Sequence, residues 1–178
     1  MTDKKTLWSE AGRAGLVLGA VSSAYLLITW GTGKIPAEST AVSISVKLLN
    51  FVLWAAKFAG CILLMKFFMK GFAAQNEENP RSFAFGVAVA FLSAVVYSAV
   101  NLAFYTFIQP SYFSDAIEML RDNPMFNEAM MEEMENMTPM FPAVNFVVNL
   151  VYCTLFGTVV SAILSRNIPA RNPFQQQQ

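Results

Sequence analysis

Residues 83–108 read FAFGVAVAFLSAVVYSAVNLAFYTFI, without one charged side chain. Wound as an α-helix at about 1.5 Å per residue, a run of this length outreaches a hydrocarbon core roughly 30 Å thick. The alternation of polar and apolar residues that a membrane barrel strand requires is missing. Lipid offers no water to backbone N–H and C=O groups, so an uninterrupted apolar run has to satisfy them internally, as a helix. Three further runs of the same character lie at about 11–32, 44–69 and 141–164. The sequence therefore predicts an all-α fold: an integral membrane bundle of four transmembrane helices.

Composition supports this. The chain of 178 residues is 55% hydrophobic and 13% charged, with a mean hydropathy of +0.44, unlike an ordinary soluble domain. The connections are short except for 109–140, so residues 1–178 read as one membrane domain. Twelve basic and twelve acidic residues cancel, which leaves no electrostatic case for nucleic acid. There is no histidine, the commonest metal ligand and the usual proton-transfer base near neutral pH. No zinc-protease motif, phosphate loop or intramembrane carboxylate pair is present, so we expect neither an enzyme nor a cofactor. Cys61 and Cys153 fall mid-span and read as small packing residues.

Lys4 and Lys5 before an apolar run resemble the start of a signal peptide. The run is longer than a signal core, however, and no small-x-small cleavage pattern follows it cleanly. Trp8 and Trp30 lie 22 residues apart, about 33 Å along a helix, which suits anchors at the two interfaces. The first segment is expected to be retained.

If the spans alternate, Lys4, Lys5, Lys66, Lys70, Arg81, Arg166 and Arg171 share one side, with Arg13 just inside the first span. The other side holds Lys34, Lys47 and Arg121. Basic residues stay cytoplasmic during insertion, so both termini are expected to face the cytoplasm of a bacterial inner membrane. The loop 109–140 then lies outside the cytoplasm.

That loop is acidic, with Arg121 as its single basic residue. Asn123 and Pro124 read as a helix cap with proline in the first turn, and Ser114 with Asp115 as an earlier cap for a short piece ending near Arg121. Phe126, Met130, Met134 and Met137 form an apolar stripe opposite Glu128, Glu132 and Glu135, suited to the membrane surface, the bundle or a partner. Met131, Met134, Met137 and Met140 also repeat every third residue, a spacing of soft thioethers that copper(I) would select. Methionine equally fills apolar surfaces, and no histidine or cysteine accompanies it in the loop, so no metal is expected. A calcium loop would need a turn glycine among aspartates, which is absent. The stretch 73–80 reads as a polar connector and the tail 167–178 as disordered.

Within the spans, small residues recur every four positions. Gly15, Gly19 and Ser23 do so in the first; Gly86, Ala90, Ala94 and Ser98 in the third. Asn145, Asn149, Cys153, Gly157 and Ser161 line the fourth. Such stripes let backbones approach where lipid supplies no hydrophobic force between helices.

The second span differs. Lys47, Asn50, Trp54, Lys57, Cys61 and Leu64 share one helical face. Lys57 lies ten residues after Lys47 and nine before Lys66, about 14 Å from either boundary and too deep to snorkel. At the centre of a lipid-facing helix a lysine costs about 2.5–3.5 kcal/mol on insertion scales, so Lys57 should point into the bundle. No acidic residue lies within a span to pair with it. Its expected neighbours are Asn101, Asn145, Asn149, Ser93, Tyr97 and Tyr152. With Asn50, the three span asparagines and Lys57 are the ligand or proton-relay candidates; a plain interior lysine, or one matched by a partner's acid, is the alternative.

The polar connector followed by Ser82-Phe83-Ala84-Phe85-Gly86, the small-residue third span, its exit through Tyr105, Ile108 and Pro110, and the order of three spans, acidic loop and fourth span resemble one family. It is an uncharacterised family of small bacterial membrane proteins, common in Bacteroidota and classed as a domain of unknown function. The resemblance covers nearly the whole chain. It implies four transmembrane helices in the inner membrane and no particular activity.

Two functions compete on these residues. The first is a non-enzymatic membrane module that binds a partner protein or lipid. The alternative is a small oligomeric transporter or channel using Lys57 in an anion or proton site. Either a membrane partner protein or a homo-oligomer is expected in the bilayer. The orientation is directly testable: alkaline phosphatase fused after residue 36 or 123 should be active, and after residue 75 or 168 inactive. The reverse pattern would invert the topology.

Overall fold

A computed structural model describes residues 4–36, 39–75, 81–121, 123 and 125–168. The described residues form helices α1 (Lys4–Gly33), α2 (Thr40–Gln75), α3 (Ser82–Ala103), α4 (Tyr112–Glu118), α5 (Glu128–Met137) and α6 (Phe141–Arg166). One π-helical turn, Phe104–Ile108, ends α3, and a 3-10 turn, Thr138–Met140, links α5 to α6. No strand occurs among the described residues. Among the described residues, four helices are long and apolar enough to cross a membrane: Lys5–Gly33, Thr40–Gln75, Ser82–Ile108 and the run Glu128–Arg166. The fold is an all-α, multi-pass membrane protein.

Helix α3 is the hub, with α1 on one side and α6 on the other. A methyl group added at Gly15 would lie 2.7 Å from Leu92 Cβ, and one at Gly19 2.6 Å from Val96 Cβ. Both glycines are therefore where the backbones of α1 and α3 meet, running parallel. Across α3 and α6 the register is antiparallel. Gly86 meets Ser161, a methyl at Gly157 would lie 2.5 Å from Ala90 Cβ, and Asn101 meets Asn145. The Ser161 hydroxyl donates to the Phe83 carbonyl at 3.1 Å, fastening the same seam.

Helix α2 stands apart. Of the apolar stretch of α3, 39% of residues are buried, against 6% for α2. Gly60 and Gly71 of α2 have no neighbour close to where a side chain would begin. It is held at one end by Met65, Met69 and Phe72, which pack with Ala11, Ala14, Leu18 and Phe85 in the main core cluster. The Phe72 and Phe85 rings stack there at 4.2 Å, nearly parallel.

The opposite end is closed by aromatic rings, a common interfacial anchor. Trp30 meets Phe104 edge-on at 5.7 Å, and Tyr105 packs on Tyr112 and Phe113 at 4.8 and 5.1 Å. Phe113 reaches Phe141 of α6 at 5.5 Å. The π-helical turn sits where Pro110 approaches: the Gln109 N–H reaches back five residues to Phe104. A proline disfavours the α conformation in the residue before it, so the helix loosens and stops there.

The loop departs from the sequence expectation in three places. Helix α5 begins at Glu128, not near Pro124; its cap is Asn127, whose side chain accepts from the Met130 N–H at 2.8 Å. Asn123 instead accepts from the Met125 N–H at 3.1 Å, a local turn, and Pro124 lies outside the described residues. Helix α4 starts at Tyr112, so Ser114 and Asp115 lie inside it and Ser111, whose hydroxyl donates to Asp115, precedes it. The α5 stripe does not turn inward as a unit: Met131 is buried and Met134 half-buried, while Met130 and Met137 are exposed. Arg121, the loop's one basic residue, pairs with Glu135 at 2.6 Å and ties the end of α4 to α5. Residues 73–75 of the expected connector are the last of α2, and Ile168 of the expected disordered tail is buried in the core cluster; residues 76–80 and 169–178 lie outside the described residues.

This packing predicts an asymmetry among glycines. Gly157→Val should destabilise the detergent-solubilised protein by about 1–3 kcal/mol, as overpacking does, whereas Gly60→Ala should leave thermal stability unchanged or slightly raised. Equal effects would contradict the seam.

Candidate functional site: a mid-membrane cleft between α2 and α6

Because α2 stands off, a cavity of about 240 Å³ remains between it and the other three helices. Leu18 and Ser22 of α1, Ala90, Ser93, Ala94 and Tyr97 of α3, and Cys153 and Gly157 of α6 line it. Trp54, Lys57, Phe58 and Cys61 of α2 face it, and Tyr152 and Phe156 of α6 form its other lip. Trp54, Phe58, Tyr152 and Phe156 are exposed, so the cleft opens sideways between α2 and α6. Phe58 and Phe156 touch across the mouth with ring centroids 5.5 Å apart.

Lys57 sits at mid-length in α2 and turns into this cleft. Its ammonium lies 5.0 Å from the Tyr25 ring centre and 5.4 Å from that of Tyr97. Both are within the range at which an aromatic face attracts a cation. Two tyrosine faces offset part of the cost of holding charge in lipid, but they do not replace a counter-ion. Among the described residues, no carboxylate reaches Lys57.

The placement follows from an antiparallel register between α1 and α2. Ser22 faces Cys61 with oxygen and sulfur 3.9 Å apart, Tyr25 faces Lys57, and Thr32 donates to Asn50 at 2.8 Å. The inward face of α2 is thus the one carrying Asn50, Lys57 and Cys61, met by a polar stripe of α1.

The sequence-derived candidates divide into two groups. Asn101, Asn145 and Asn149 come together: Asn145 donates to Asn101 at 2.6 Å, and Asn149 donates to the Asn145 side chain at 2.9 Å. Tyr97 stands one turn before Asn101 on α3, so the ladder continues the helical face that forms the wall of the cleft beside Lys57. Asn50 lies apart, engaged with Thr32. Ser93, Tyr97 and Tyr152 line the cleft as expected from the sequence. Tyr25 was not among the expected neighbours. Its signal was present, since Ser22, Tyr25, Thr29 and Thr32 follow a 3-4-3 spacing that marks one polar face of α1.

The loop candidates do not line this cleft. Phe126 is half-buried, and Met130 and Met137 stay on the surface of α5. Met131, Met134 and Met137, the copper(I) set, are divided between buried, half-buried and exposed positions, because three-residue steps carry a stripe gradually around a helix. The described residues also hold no cluster of three or more cysteines and carboxylates fit for a metal.

Residues 13–166 match the family described as "Protein of unknown function (DUF4199)". The chain belongs to that family. No curated protein and no solved structure matches it. The DUF4199 match runs from the first turns of α1 to the last residue of α6, so it contains every helix lining the cleft.

Replacing Lys57 by Met removes a cation without a counter-charge and keeps most of the side-chain volume. The variant should fold with equal or higher thermal stability. Asn101→Leu should instead destabilise, by about 0.6 and at most about 1.7 kcal/mol, the range of interhelical hydrogen bonds in membranes. Unfolding of both variants to the same degree would show that Lys57 is a structural group.

Proposed function

We propose that this DUF4199 protein is a non-enzymatic module of a bacterial inner membrane, with both termini cytoplasmic, that binds a membrane partner protein in the cleft between α2 and α6. The observation that carries this reading is the sideways opening itself. A cleft that faces the lipid at mid-depth is reached by another membrane-embedded molecule, not by a solute from either aqueous side. Its rim is aromatic and its floor small. Phe51, Trp54 and Phe58 stack along α2 at 5.9 and 5.8 Å, and Tyr152 stacks on Phe156 along α6 at 6.5 Å. Ala90, Ala94 and Gly157 beneath them allow close backbone approach.

The second reading is a small oligomeric transporter or channel with Lys57 in an anion or proton site. The polar wall of Ser22, Ser93 and Tyr97 favours it. Four helices with their ends packed by the core cluster and the aromatic belt leave the passage to be built by several copies.

Photo-crosslinking in native membranes separates these readings. A photoreactive residue at Trp54 or Tyr152 should give one discrete hetero-protein adduct, and the same probe at Leu16, on the outer face of α1, should not. Adducts confined to second copies of this chain would favour the oligomeric transporter. Adducts formed equally from all three positions would overturn the cleft as a docking site.

A further inference from the structure

We infer that the cleft is built for a partner transmembrane helix carrying one aspartate or glutamate at mid-membrane depth, whose carboxylate pairs with Lys57. This rests on the reading of the cleft as a docking site and names the chemistry that it selects.

Four observations lead to it. First, Lys57 is a cation with aromatic neighbours and no carboxylate within reach among the described residues. A buried charge is best completed by an opposite one. Second, its depth discriminates among anions. Lys57 lies midway along the 36-residue α2, so a lipid headgroup, which rests at the interface, is far from it. A side chain on a helix can stand at any depth. Third, a second copy of this chain brings no such group, because the four apolar runs contain no aspartate or glutamate. The partner is therefore a different chain. Fourth, the dimensions fit a side chain and not a whole helix. About 240 Å³ cannot admit a helix roughly 10 Å across, but it can take an acidic side chain from a helix seated over the mouth. Trp54 and Tyr152, exposed on the two lips, would flank that helix.

The test uses the full chain in zwitterionic bilayers with synthetic Leu/Ala transmembrane peptides of about 21 residues. One peptide carries Glu at its centre, one Gln at the same place, and one Glu near its end. Association is read by energy transfer from a donor on the protein to an acceptor on the peptide. The central-Glu peptide should bind about tenfold tighter than the other two, the scale of one strong polar contact between helices in lipid. That preference should disappear in Lys57→Met and persist in Lys57→Arg, with circular dichroism verifying that both variants are folded. Equal binding of the three peptides, or a preference that survives Lys57→Met, would overturn the acidic-partner inference while leaving the cleft as a docking site. Association of no peptide, together with uniform photo-crosslinking, would remove the docking reading as well. A Glu preference abolished by adding anionic lipid would assign Lys57 to lipid and also overturn the inference.

Discussion

Close backbone contact at small residues is the constraint on which the rest of this structure depends. Lipid tails are as apolar as leucine, so no hydrophobic force gathers helices once they are inserted. What remains is packing and a few hydrogen bonds, and these favour the helices that can come nearest. Gly15 and Gly19 bring α1 onto α3, and Gly86, Gly157 and Ser161 bring α6 onto it. Helix α2 has no such partner seam at Gly60 or Gly71, and its bulky residues keep it away. The cleft is the space that this unequal packing leaves.

Lys57 occupies that space for the same reason. It has too little reach to escape to water and too much charge to face acyl chains, and the gap beside α2 is where it meets the faces of Tyr25 and Tyr97. Tyr97 shares a face of α3 with Asn101, one turn on, so polar groups run from the lysine toward the aromatic-belted end of the bundle. The tightly packed opposite end, around Met69, Phe72 and Phe85, fixes α2 there and leaves the freedom near the middle. An arrangement of this kind is suited to receiving a membrane-embedded partner rather than to processing a soluble one.

Much of this was legible in the sequence. Run length gave the four helices, four-residue spacing of glycine, alanine and serine gave the faces that α1, α3 and α6 turn toward each other, and the depth of Lys57 gave its inward direction. Other features were not legible, for physical reasons. Which helix would stand off depends on comparing all pairwise contacts, and no single stripe states that. Asn50 looked like part of the lysine's environment because it shares its helical face, yet two turns of helix carry it to Thr32 instead. In the loop, the cap is Asn127 and not the asparagine-proline pair, and packing turns Met131 inward where spacing alone had pointed to Met130, one residue away. Amphipathic assignments are that sensitive because each residue turns the helix by about 100°.

The central claim is that Lys57 lies inside the bundle against two tyrosines, at a depth where lipid headgroups do not reach it. Solid-state NMR of the protein in phospholipid bilayers measures this directly, with nitrogen-15 at the lysine side chains and carbon-13 in the tyrosine rings. The account predicts magnetisation transfer between Lys57 Nζ and the rings of Tyr25 and Tyr97, and no dephasing of that nitrogen by lipid phosphorus-31. Strong phosphorus dephasing with no transfer to either ring would place the ammonium at the headgroups and contradict it.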